Sequence, residues 1–327
     1  MTLTEKPTTA KAGTATRSTV RARGNTHGWR PAKMTWLITL LALVGVSVFL
    51  YPTIAAWFSS YNQSQIVDNY AAALEHVEPS AREQLAKARQ YNDALSAGVN
   101  LEAHQRKATG VGTSSDQSLD YNQILNAGNG LMGRVKIPKI NVDLPIYHGT
   151  DDDTLDRGAG HLEGSHLPIG GIDTHSVITA HRGLANATMF NDLDKIDSGD
   201  RFTLEVFGEV LTYEVIETRV VEPDETDTLR VRPGADVVTL ITCTPLGINS
   251  HRILVTAERV TPTPAQDLED AGKDSEVPGF PWWAVLAGAV LIAVGLYLWR
   301  AGYTDARIRA LKTDRARAGG QDHSHRI

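Results

Sequence analysis

Two long uncharged apolar runs, one near each end of the chain, constrain this sequence more than any other feature. The first is residues 34–58, MTWLITLLALVGVSVFLYPTIAAWF, with no charged side chain over 25 positions. The second is residues 280–299, FPWWAVLAGAVLIAVGLYLW, uncharged over 20. A helix needs about 20 apolar residues to cross the hydrocarbon core of a bilayer. Trp and Tyr stand near the ends of both runs, where amphipathic rings favour the membrane interface. The alternative for the first run is a cleaved signal peptide, whose apolar core is typically shorter, about 7–15 residues. The alternative for the second is a buried core helix.

The basic residues orient the two spans. Residues 1–33 hold seven Lys and Arg against one acid, and residues 300–327 hold seven against three. Positive flanks stay on the cytoplasmic side. Both termini are therefore expected in the cytoplasm and residues 59–279 outside. The whole chain carries a formal charge of −6, but the outside segment holds 18 basic and 34 acidic residues, a net of −16. Such a surface excludes nucleic acid and anionic lipid as natural partners. The two tails, rich in Thr, Ala and Gly or in Arg, Gly and His, read as disordered.

The outside segment changes texture along its length. Residues 60–108 show apolar positions at three- and four-residue spacing (Ile66, Tyr70, Ala73, Leu74, Val77), broken by Pro79. This pattern predicts two helices or a kink near Glu78. Residues 109–118 are rich in Gly, Ser and Thr and read as a flexible loop, with a short helix after it at 119–125. From Gly133 onward, short β-branched segments bounded by turn residues predict strands. They are GRVKIP, VDLPIYHG, HSVITAH, DRFTLEVFG, VLTYEVIETRVV, DVVTLITC and HRILVTAERV, with a hairpin turn at 207–209. Strands so spaced, without regular intervening helices, point to a closed or sandwiched all-β domain. Thr150 before Asp151, Asp152 and Asp153 reads as a helix cap with acids in the first turn rather than a metal site. Residues 261–279, rich in Pro and acids, read as a linker to the second span.

Chemistry converges on a few positions. Cys243 is the sole cysteine of 327 residues, so no internal disulfide or CxxC zinc site exists. A single thiol outside the cell is either a buried small hydrophobe or a kept nucleophile. Cys243 ends the strand DVVTLITC, where a side chain is held rigidly yet can face a ligand. His181 ends HSVITAH, and His251 with Arg252 opens the next strand after the loop TPLGINS. A nearby imidazole or guanidinium would supply the proton acceptor and positive field that a thiol needs. The outside segment carries eight histidines, so the type alone does not single one out.

The string TLITC fits the TLxTC signature and resembles the sortases, membrane-bound cysteine transpeptidases of Gram-positive bacteria. Flanking strings agree in order: GRVKIPKINVDLPIYHG, GAGHLEGSHLPIGG, THSVITAHRG and TLITCTPLGINSHRILV. The resemblance covers about residues 130–260. The CTPxGxNxHR string, the HLEGSHLPIGG segment and the C-terminal span resemble class C, the pilin-polymerising sortases. The resemblance implies an all-β, eight-stranded barrel with N-terminal helices, flanked by two transmembrane helices. It implies Cys243 as nucleophile, His181 as general acid/base and Arg252 as oxyanion-stabilising or peptide-positioning group, with His251 outside the catalytic set. The implied substrate is an LPxTG-type signal on a pilin or surface protein, cleaved between Thr and Gly through a thioester. The implied acceptor is a pilin lysine, or a cell-wall amine in a housekeeping sortase. Reference pKa values of about 8.5 for Cys and 6.5 for His leave the thiolate–imidazolium form at roughly 1% of the neutral pair. An inert surface scaffold and a hydrolytic cysteine protease are the competing classes.

The expected organisation is thus a tail (1–33), a span (34–58), a helical region (59–108), a loop or lid-like segment (109–130), the catalytic barrel (131–260), a linker (261–279), a span (280–299) and a tail (300–327). Class C members commonly carry an Asp-Pro-aromatic lid. The stretch ATGVGTSSDQSLDY has none, and Asp116 or Asp120-Tyr121 is the nearest approximation. No cofactor motif and no defensible calcium cluster stands out, so no cofactor or metal is expected.

Overall fold

The computed structural model describes residues 28–96, 99–101, 108–110, 113–114, 119–223, 225 and 227–323. The chain divides into two compact units: Met1–Leu43 with Ala289–Ile327, and Val44–Gly288. The described residues of the first are mainly helical. Helix α1 (Lys33–Asp68) begins in it and helix α6 (Trp282–His323) ends in it. There Asp305 accepts hydrogen bonds from the backbone N–H of Ala32 (2.7 Å) and the hydroxyl of Thr35 (2.8 Å). Both helices contain stretches long and apolar enough to cross a membrane. Leu40, Leu41, Val48 and Phe49 on α1 and Leu291 and Ile292 on α6 are exposed, as lipid-facing side chains are.

The second unit is built on a closed barrel of eight strands. In chain order these are β1 (Leu131–Ile137), β2 (Val142–His148), β3 (Ala159–His161), β4 (Thr174–Thr179), β5 (Arg201–Val206), β6 (Glu209–Val221), β7 (Asp236–Thr244) and β8 (His251–Arg259). Around the barrel the order is β6-β8-β7-β4-β3-β2-β1-β5, and β5 closes on β6 through the turn at 207–208. The pairs β7–β4 and β3–β2 are parallel and the others antiparallel. Alternate residues of each strand fill the barrel, among them Leu144, Ile178, Leu204, Leu240 and Val255. Seven strands coincide with the segments read from the sequence. The eighth, β3, lies in the Gly-rich stretch between them.

The helical region differs from its expectation in extent. Helix α1 runs on through Asp68 without a break at the end of its apolar run. Short α2 (Tyr70–Leu74) follows, and α3 (Ala81–Ala94) starts on Ser80, whose capping box with Glu83 fixes the restart after Pro79. Helix α3 stops at Ala94 rather than continuing to 108. Two short ribbons follow, Leu95–Ser96 against Thr113–Ser114 and Val99–Leu101 against Ala108–Gly110. Residues 111–112 and 115–118, including Asp116, lie outside the described residues. The short helix near 120 is a single 3-10 turn, Tyr121–Gln123, capped by Asp120. The acidic triplet begins α4 (Asp152–Arg157), but its cap is Asp151, accepting from the N–H of Thr154, and not Thr150.

The segment read as a linker is a strap. Helix α5 (Ala265–Asp270) leans on β6, with Thr212 donating to Asp267 at 2.6 Å. Beyond it, the carbonyl of Lys273 accepts from Arg134 (2.9 Å), and Ser275 binds both Asp143 and Asp68 (2.7 Å each). Arg134 and Asp143 form a two-pronged ion pair, at 2.7 and 2.6 Å, with both side chains buried on the barrel wall. A charge pair out of water needs its remaining donors and acceptors filled, and the strap supplies those partners. The Pro and acid content of residues 261–279 suggested an unattached chain because its partners lie 55 to 207 positions away.

Candidate active site

Strand β7 is a run of β-branched and aliphatic residues because both its faces are covered. Val238 and Leu240 point into the barrel core. Ile241 points outward into a second cluster with Leu162, Val177, Val221, Leu229 and Leu254. By strand alternation Cys243 shares the outward face of Ile241, and Arg252 shares that of Leu254. Cys243 and Arg252 are directly opposed in the β7–β8 register, which sets their Cβ atoms about 5 Å apart.

The third residue arrives through the parallel neighbour. Ile241 pairs with Thr179 on β4, so two positions further on His181 comes level with Cys243. The bonding continues beyond the strand's end. Ala180 N–H donates to the Ile241 carbonyl (3.2 Å), and the Thr242 hydroxyl donates to the Ala180 carbonyl (2.8 Å). Three strand ends therefore bring Cys243, His181 and Arg252 to one region of the outer wall. All three side chains are buried, with Cys243 and His181 each 4% exposed. The Arg252 guanidinium donates to the carbonyls of Asn249 (2.9 Å) and His251 (3.0 Å). His251 itself bonds the Ser250 hydroxyl at 2.8 Å, and alternation turns it away from Arg252's face.

Two side chains that the sequence did not flag complete the surroundings. Asp156 on α4 sets a carboxylate oxygen 3.7 Å from His181 Nε2. Arg182 donates to the Asn191 carbonyl (2.8 Å), to Asp194 (2.7 Å) and to the Thr244 hydroxyl (3.1 Å). It thus ties the residue after His181 to the residue after Cys243. Neither had a signal in the sequence beyond Arg182's place in HRG.

The other buried histidines have different work. His161 bonds Tyr121 through Nδ1 (3.0 Å) and the His166 carbonyl through Nε2 (2.8 Å), and burial pushes it down to about 3. His175 bonds the Arg230 carbonyl and Thr239, and burial lowers it to about 4. Tyr121 belongs to the main core, not to the face of Cys243. Asp120-Tyr121 is thus a structural anchor of the N-terminal segment. Among the described residues no group of three or more His, Cys, Asp or Glu could hold a metal ion.

Comparison with known proteins identifies relatives of the barrel unit. Residues 135–260 match the sortase domain family. Sortase D of Bacillus subtilis (strain 168) is 30% identical over 159 residues, covering 48% of this chain and 77% of that protein. Among solved structures, sortase C-1 from Actinomyces oris is 46% identical with a TM-score of 0.50, covering 55% of this chain and 99% of that one. Sortase C of Streptococcus pneumoniae, described with reference to pilin substrate specificity, is 36% identical with a TM-score of 0.52, covering 60% and 96%. The chain belongs to the sortase family, whose members are transpeptidases.

Proposed function

We propose that this chain is a membrane-anchored, class C-like sortase that uses Cys243 to join pilin subunits. The observation that carries the reading is the strand register. It opposes Cys243 to Arg252 and brings His181 level with both. The Cys243 thiolate attacks the Thr carbonyl of an LPxTG-type signal. The guanidinium of Arg252 stabilises the oxyanion that forms. Collapse breaks the Thr–Gly bond, and the His181 imidazolium protonates the departing glycine amine. A lysine amine of the next pilin then attacks the thioester, passes its proton to His181 and releases the thiolate as an isopeptide bond forms. Leu246 and Ile248 follow Cys243 in the chain and are exposed, and their apolar side chains suit the Leu and Pro of such a signal.

Both termini lie in the cytoplasm in this reading, and residues 59–279 face outward. The basic flanks of both apolar helices support that orientation. A second reading is a housekeeping sortase with the same cysteine chemistry and a cell-wall amine as acceptor. The test is intact mass of the full chain in nanodiscs with an LPxTG peptide. An acyl adduct on Cys243 is expected, absent in Cys243→Ala. If wild type gives neither adduct nor cleaved peptide, the reading fails. Supplying a pilin lysine or a cell-wall peptide amine then separates the two acceptors.

A further inference from the structure

Helix α1 leaves its apolar run at Phe58 with a stripe of buried residues on one side. Ser60, Gln63, Ser64 and Val67 are all less than a tenth exposed. Their spacing of three and four places them on one helical face, and the barrel unit covers that face. Polar side chains there are costly to bury unless their hydrogen bonds are made. Gln63, 4% exposed, uses its amide nitrogen twice. It donates to the carbonyl of Arg157 (3.4 Å) and to the sulfur of Met189 (3.6 Å). Ser60 meets the Thr188 hydroxyl at 3.4 Å.

Both partners of Gln63 adjoin groups that touch His181. Arg157 follows Asp156, whose carboxylate lies 3.7 Å from His181 Nε2. Met189 precedes Phe190, whose N–H donates to the His181 carbonyl at 3.1 Å. One amide thus reaches His181 from the ring side through α4 and from the backbone side through the loop. Met189 is held at φ +40°, a left-handed conformation that is unfavourable for a bulky side chain. Such strain persists where surrounding contacts over-determine the backbone, and Gln63 is one of those contacts.

We infer that the outer end of the first membrane helix is part of the catalytic scaffold, with Gln63 the residue that positions His181 against Cys243. The anchor then does more than tether the barrel. It buttresses both supports of the histidine, and the geometry of the site is set where the helix leaves the membrane. The inference rests on the cysteine transpeptidase reading for its rate prediction but not for its structural one.

The test uses the full chain in nanodiscs, with Gln63→Ala and Gln63→Glu. The glutamate keeps the shape and loses both donors. Three quantities are read: kcat and KM for an LPxTG peptide, the rate at which iodoacetamide alkylates the sole cysteine, and Tm. A small misplacement of a reacting group costs rate rather than binding, so kcat is expected to fall about tenfold in both variants with KM within about twofold. The alkylation rate is expected to change about threefold or more, because the thiolate depends on its imidazole neighbour. Gln63→Asn, which keeps the amide one carbon shorter, recovers part of kcat. Unchanged kcat and alkylation in both variants would overturn the inference. So would a loss of kcat that follows Tm while alkylation stays at the wild-type rate. If wild type never cleaves the peptide yet its alkylation still responds to Gln63, the transpeptidase reading falls and the positioning role stands.

Discussion

Among the described residues, the carboxylate paired with His181 belongs to a residue two-thirds exposed to solvent, and this decides how much it can do. Asp156 lies 3.7 Å from Nε2 with its side chain 67% exposed. An anion at that distance favours the imidazolium form, the form that protonates the leaving amine in the proposed mechanism. Screening by water keeps the effect small. Asp156→Asn is therefore expected to lower kcat/KM for peptide cleavage by no more than about threefold. The check is kcat/KM of wild type and variant at one pH. A loss of about tenfold or more would show that Asp156 does more than a screened surface charge can. The sequence could single out Cys243, His181 and Arg252, which the register brings to one region, because each stands at a strand end in an ordered motif. It could not single out Asp156 or Gln63. Their partners lie on other elements, and Gln63 reaches across 94 and 126 residues.

At the scale of elements, the loops that follow β4 and β7 behave as one clasp. Arg182 binds the Thr244 hydroxyl, and Leu246 packs on Gly183. Gly183 sits at φ +80°, and a Cβ there would stand 2.7 Å from a Leu246 methyl carbon. Gly183→Ala adds both backbone strain and a close contact, costing about 1–2 kcal/mol locally. The relief available is for the two loops to part, which separates His181 from Cys243. Peptide cleavage is expected to drop about tenfold or more while the barrel's circular dichroism is retained. Wild-type activity in the alanine variant would show that the clasp does not set the distance. The barrel strands were readable wherever β-branched residues ran between turn residues, as in β4, β7 and β8. Strand β3 was not, because Ala159, Gly160 and His161 carry no such pattern. Its place is set by tertiary approach: a Cβ on Gly160 would run into the carbonyl oxygen of Gly149. The extent of α3 was misjudged because the spacing of residues 95–108 allows a helix, whereas the backbone there pairs with residues 108–110 and 113–114 instead.

At the scale of the whole molecule, two electrostatic effects compete as pH falls. The outside segment carries a net −16, and protonating carboxylates would relieve its self-repulsion. Reference carboxylates titrate near 3.9–4.3, so at pH 5 most of that charge is still present. The buried histidines respond earlier. His161 and His175 are held neutral in the fold, at about 3 and about 4, both by burial. Unfolded, each would take up a proton below about 6.5. Between pH 6.5 and 4 the unfolded chain therefore binds more protons than the folded one, and stability falls as pH falls. At pH 5 each such histidine withdraws about 2 kcal/mol, from 1.5 units at 1.36 kcal/mol per unit. The expected result is a lower Tm at pH 5.0 than at 7.5 for the full chain in nanodiscs. His175→Gln keeps a donor and an acceptor for Arg230 and Thr239 but cannot protonate. It should lower Tm at pH 7.5 through imperfect packing and yet flatten the slope between the two pH values. Equal slopes in wild type and variant would mean that His175 does not couple folding to pH. Acid sensitivity would then have to come from the carboxylates, with its onset about two pH units lower.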